Sequence, residues 1–208
     1  MRAVFRFVLL LCILQGCAGV GVREDASGTL YLRRKIVQNA RDLLGRREIV
    51  FSGRRFNYDC SGFIKAVYYK STGIDLFDGG LPNKDLRGVE MIHKYCRAYG
   101  KLYAGRVPEE GDIIFFHDTY DADRDGRLKD RCTHAGIVER VDDHKTITFI
   151  HLDSAGIVRD KMNLRYPGEA RSKKEGTIIN TYLRKASGAY NRPGALSAQL
   201  FESFGTIF

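Results

Sequence analysis

The chain has 208 residues, 44% of them apolar and 28% charged, which is enough to build one well-buried domain and excludes a disordered chain as the default. Its net charge of +9 is spread in short groups such as Arg33-Arg34-Lys35 and Arg54-Arg55, a surface that suits an anionic partner. Neither zinc-finger spacing nor a basic helical region accompanies the charge, which argues against nucleic acid.

At the N-terminus Arg2 and Arg6 flank the start of FVLLLCIL, an apolar run too short to cross a bilayer and laid out as a secretory signal. The run ends in LQGC, residues 14–17, which resembles the bacterial lipobox and implies lipidation of Cys17 after removal of residues 1–16. Cleavage after Ala18 by the ordinary signal peptidase remains the alternative. An acylated Cys17 would anchor the chain to a membrane. With Ala18 following, the resemblance implies the outer membrane, facing the periplasm, in a Gram-negative cell envelope. After processing, Cys60, Cys96 and Cys132 remain, so a Cys96–Cys132 disulfide beside a free Cys60, or separate buried thiols, are both open.

Residues 17–30 read as a tether. A helical pattern follows in LYLRRKIVQNARDLLG, with Ile36, Val37, Ala40 and Leu43 on one face and Gly45 as its stop. A loop leads to NYDCSGF, residues 57–63, and a second helix carrying Phe63, Ile64, Val67 and Tyr68, with Asp59 placed as N-cap and Gly73 as terminator. Residues 85–99 predict a third helix. Beyond Pro108 the pattern turns to strands at 111–116, 134–141, 146–152, 156–162 and 177–185, with DDHK as the turn of an antiparallel hairpin. Helices first and antiparallel strands afterwards predict one α+β domain over residues 31–190, with helices packed on an antiparallel sheet. Residues 191–208 form a tail whose pattern assigns it no role.

A thiol at a helix start is favoured as a thiolate by the unpaired backbone N–H groups and the helix dipole, so Cys60 is expected to be ionised and nucleophilic. Its partner in such chemistry is an oriented imidazole. His134 and His151 lie on neighbouring predicted strands, where one ring can meet the thiol and the other can hold the first. His117 is near them in sequence. His93 and His144 read as surface residues.

DCSGF, GDIIFF, HAGIVERV and FIHLDSAGIV, in that order, resemble the motifs of the NlpC/P60 family of cell-wall cysteine peptidases, and the likeness covers about residues 30–165. The resemblance implies a papain-like fold, with Cys60 as nucleophile, His134 as general base and acid, and His151 as the group that orients it. It implies that Asp59, Ser61 and Gly62 line the substrate side and that the Cys60 N–H serves the oxyanion, with no cofactor required. Tyr58 is the nearest stand-in for a tyrosine that the family carries upstream. The implied substrate is the peptidoglycan stem peptide, cut next to γ-D-glutamate and before a diamino acid. An amidase at the muramyl–alanine bond and a non-catalytic cell-wall binding lipoprotein are the alternatives.

Between the strands at 111–116 and 134–141 lies a long connection, HDTYDADRDGRLKDRCT. Asp121, Asp123 and Asp125 at alternate positions, followed by Gly126, form the opening half of a calcium loop, with Asp130 as a further carboxylate. A structural Ca²⁺ and a solvated loop whose charges are met by Arg124, Arg127 and Lys129 both fit this pattern.

Overall fold

The computed structural model describes residues 26–77, 86–186 and 193–208 of the chain; the signal segment, Cys17 and most of the predicted tether lie outside them. The elements run α1 (Ala26–Arg41), β1 (Ile49–Phe51), β2 (Arg54–Phe56), α2 (Cys60–Thr72), α3 (Gly88–Tyr99), β3 (Lys101–Tyr103), β4 (Ile113–Phe116) and β5 (His134–Val141). They continue as β6 (Ile147–Asp153), β7 (Gly156–Met162), β8 (Tyr182–Arg184), β9 (Ala195–Leu196), a 3-10 turn at Ser197–Gln199, and β10 (Phe201–Thr206). The three helices and a six-stranded antiparallel sheet, in the order β3-β10-β4-β5-β6-β7, make the described chain a mixed α and β structure.

The sheet has a core on each face. On one face Ile36 and Ala40 of α1, Phe63, Ile64 and Val67 of α2, and Ile92 of α3 pack against Ile113, Phe115, Ala135, Ile137 and Ile150. On the other, Ile114, Phe116, Val138, Phe149 and Phe204 are covered by Leu200, Ala195 and Leu183 of the β8–β9 pair and its turn. This double cover explains why β5 and β6 read as nearly continuous apolar runs and not as alternating ones.

Helix α2 has a cap at each end. Asp59, in extended conformation, accepts from the Gly62 N–H at 2.7 Å, and Gly73 closes the helix at φ 77°. The Gly-Asp pair that opens GDIIFF is a structural tie. Asp112 is fully buried and receives Arg33 of α1 at 2.7 Å, the Tyr103 hydroxyl of β3 and the Glu109 N–H.

Three expectations change. The strand predicted over 177–185 shrinks to Tyr182–Arg184. Residues before it are held by an isolated bridge between Arg171 and Ile178 and by side-chain amides: the Asn163 N–H donates to Asn180 Oδ1 at 2.7 Å, and Asn180 Nδ2 donates to the carbonyls of Tyr166 and Glu169. The tail without an assigned role supplies β10, which pairs with β3 on one side and β4 on the other, so the folded unit runs past residue 190 to the end of the described chain. Helix α1 begins at Ala26, inside the predicted tether. Two short pieces were not predicted, the β1–β2 hairpin and β3.

Candidate active site

Cys60 is the first residue of α2, and its sulfur faces the backbone N–H groups of Ala135, Ser61 and Cys60 itself. The Ala135 contact places the thiol against the start of β5, beside His134. His134 and His151 are both buried, and His134 Nε2 lies 2.7 Å from His151 Nδ1 with the rings nearly perpendicular. His151 Nε2 in turn lies 3.1 Å from Asp160 Oδ2 on β7. The sheet register produces this chain: Gly136 pairs with His151, and His151 pairs with Val158, two residues before Asp160. A Cβ at position 136 would come within 3.2 Å of the His151 Cβ, so the glycine of HAG keeps this space open.

With both rings neutral, the order of the groups fixes the protons. A carboxylate can only accept, so His151 Nε2–H donates to Asp160. His151 Nδ1 is then a lone pair and accepts from His134 Nε2–H. The remaining nitrogen of the first ring, His134 Nδ1, is left as a base. Burial, and then the neighbouring His151, hold the His134 imidazole well below its ordinary pKa, which keeps it neutral.

The thiol departs from the expected thiolate. Burial, followed by the Asp59 charge, pushes Cys60 up to about 11, against the opposing pull of the backbone N–H groups. The helix start does favour the anion, but removing sulfur from water and setting a carboxylate beside it outweighs that effect. At neutral pH the resting pair is a thiol and a neutral imidazole.

The four residues expected on the substrate side each make contacts within the fold. Asp59 spends its Oδ1 on the Gly62 N–H and the Ser61 hydroxyl, both at 2.7 Å. Ser61 is buried against Gly88, whose added Cβ would meet the serine oxygen at 2.2 Å. Gly62 does permit a close approach, but the neighbour is the chain's own Asn57 carbonyl, 2.1 Å from where a Cβ would stand. The Tyr58 hydroxyl donates to the Arg46 carbonyl at 2.6 Å.

A cavity of about 580 Å³ opens onto His134, lined among others by Tyr120, Leu152, Ser154 and Tyr182. Sequence reading missed this wall and also Asp160, whose only signal was a charge inside the strand GIVRDKM. Tyr120 comes from the long connection. Burial raises its phenol, Arg87 lowers it and a charge on Cys60 raises it again, so it lies within electrostatic reach of both groups.

Of the four carboxylates expected as calcium ligands in that connection, Asp121, Asp123 and Asp130 have oxygens within 4.8 Å of one another, whereas Asp125 turns to Lys129 at 2.7 Å. Lys129 also approaches Asp123 at 3.7 Å, and Asp130 accepts from the Ala122 N–H, so described donors meet much of this negative charge. His117 bonds to Asp118 at 3.0 Å and lines a different cavity. His144 is exposed, as expected; His93 is not a surface residue but is buried against Phe115. Cys96 and Cys132 are both free thiols. No described helix is long and apolar enough to cross a membrane.

Compared with known protein families the chain matches none, and no curated protein matches it.

Proposed function

We propose that the chain is a papain-like cysteine hydrolase of the NlpC/P60 type, anchored through a lipidated Cys17 at the cell envelope and acting on peptidoglycan stem peptides. The observation that carries the reading is the His134–His151–Asp160 relay, because with neutral rings it leaves a free nitrogen on His134, the residue just before Ala135, whose backbone N–H faces the Cys60 sulfur. In this mechanism Cys60 attacks the scissile carbonyl carbon while its proton passes to His134 Nδ1. The imidazolium then protonates the leaving amine as the C–N bond breaks, and water, deprotonated by the same ring, releases the acyl group from sulfur. In this reading the Cys60 N–H at the helix start turns to the oxyanion during the reaction. Because the resting thiol is neutral, proton transfer accompanies attack and does not precede it. The basic surface matches an anionic wall polymer.

The test incubates the full chain and Cys60→Ala with purified peptidoglycan and identifies products by mass spectrometry. The expected result is a new amino group within the stem peptide, absent with the variant. A free lactyl carboxylate would assign an amidase instead. Equal products from both proteins would leave a binding module.

A further inference from the structure

On the helix-covered side of the sheet, away from the relay, three side chains from distant parts of the chain converge: His93 of α3, Cys132 just before β5 and Glu202 in β10. One ligand atom of each lies within 4.8 Å of the other two. All three are removed from water. His93 and Cys132 are 6% and 5% exposed, and the Glu202 side chain 8%. The His93 imidazole makes no hydrogen bond within the described residues; its one ring contact is edge-on to Phe115 at 5.0 Å between centroids. A nine-tenths buried imidazole with that freedom, aimed at a thiol and a carboxylate, calls for an electrophile.

We propose that His93, Cys132 and Glu202 form a binding site for a zinc-class divalent cation, distinct from the Cys60 centre. One sulfur, one nitrogen and one oxygen are a borderline-soft donor set, suited to Zn²⁺ or Co²⁺ and unsuited to calcium, which takes six to eight oxygens. The geometry agrees in scale. Cys132 Sγ stands 3.5 Å from Glu202 Oε2, while zinc–sulfur and zinc–oxygen bonds at a tetrahedral angle give an edge of about 3.6 Å. On binding, the Cys132 S–H bond breaks, its proton leaves to solvent, and sulfur donates its pair to the metal. Glu202 Oε2 exchanges its contact with the thiol for the metal, and Oε1 keeps Arg131. Thiolate and carboxylate together balance the two charges of the cation. Cys132 is held ready at φ 48°, a left-handed conformation unusual outside glycine. A cavity of about 320 Å³, lined by Arg131, Phe201 and Glu202 among others, borders the site on its Glu202 side.

The test titrates the reduced full chain with Co²⁺ and follows the thiolate-to-cobalt charge-transfer band. One equivalent should produce it and Zn²⁺ should displace it. Cys132→Ser should lose the band, His93→Gln and Glu202→Gln should each weaken binding more than about 100-fold, beyond the roughly 10–100-fold that a merely supporting residue costs, and Cys60→Ala should keep it. Melting curves of each variant without metal separate lost binding from lost fold. A wild-type protein that shows no band, a band that survives Cys132→Ser, or one that vanishes in Cys60→Ala overturns the proposal, and none of these outcomes depends on hydrolytic activity.

Discussion

Cys60 shows how one side chain can receive opposing instructions. Its position at a helix start favours the anion, yet burial and Asp59 hold the thiol at about 11. Alkylation of Cys60 by iodoacetamide, followed by peptide mapping so that Cys96 and Cys132 are scored separately, should therefore accelerate about tenfold per pH unit from neutrality toward pH 11. A rate that levels off near pH 7 would show an ionised resting thiol and refute this assignment. In the proposed hydrolysis Asp160 is a positioning residue, acting through His151. Asp160→Ala leaves a buried N–H without its acceptor, a loss of about 1–3 kcal/mol, so kcat against a peptidoglycan fragment should fall roughly tenfold to hundredfold with KM little changed. Asp160→Asn, which preserves an acceptor oxygen, should recover part of it.

At the scale of elements, the motif GDIIFF serves assembly before chemistry. Asp112 joins α1 through Arg33, β3 through Tyr103 and the start of β4 in one buried cluster, and burial of the arginine is offset by the carboxylate beside it. Removing one member of such a pair strands the other charge in the interior. Asp112→Ala should destabilise the fold by about 3–5 kcal/mol in urea unfolding, much more than substitution of the exposed Arg55–Glu48 pair, expected to cost less than about 1 kcal/mol. The β1–β2 hairpin belongs to the same scale. Its turn residues, Ser52 and Gly53, both take positive φ, at 49° and 77°, and the Ser-Gly pair was the local signal for it. Strands of three residues carry too little pattern to be read alone.

Across the whole molecule, Glu139 ties the helical layer to the far strands. Its carboxylate takes Arg41 of α1 at 2.7 Å and Arg159 of β7 at 2.7 and 2.8 Å. Burial works to raise this carboxyl, but the hydrogen bonds and charges of Arg159 and Arg41 more than offset it and hold the group below its ordinary value. A carboxyl depressed in the folded state contributes stability that is present above the ordinary glutamate value of 4.5 and is lost as pH falls through the lower folded value. The urea midpoint of the wild type should drop below pH 4.5, and its advantage over Glu139→Gln should shrink with it. An unchanged gap between the two proteins over that range would exclude the linkage.

The sequence by itself determined the helices and four of the strands and singled out Cys60, His134 and His151 as candidates, because their signals are local: a cap before an apolar stripe, a period, a turn, a short motif. Tertiary structure alone decided the rest. Phe201–Thr206 sits between β3 and β4, where pairing across about a hundred residues leaves no mark in the segment's own pattern. Asp160 joins the relay through strand register, and His93 leaves the surface because α3 turns that face toward Phe115. The state of the Cys60 proton also lay beyond sequence, since it follows from how much water the completed fold excludes and which charge it leaves nearby.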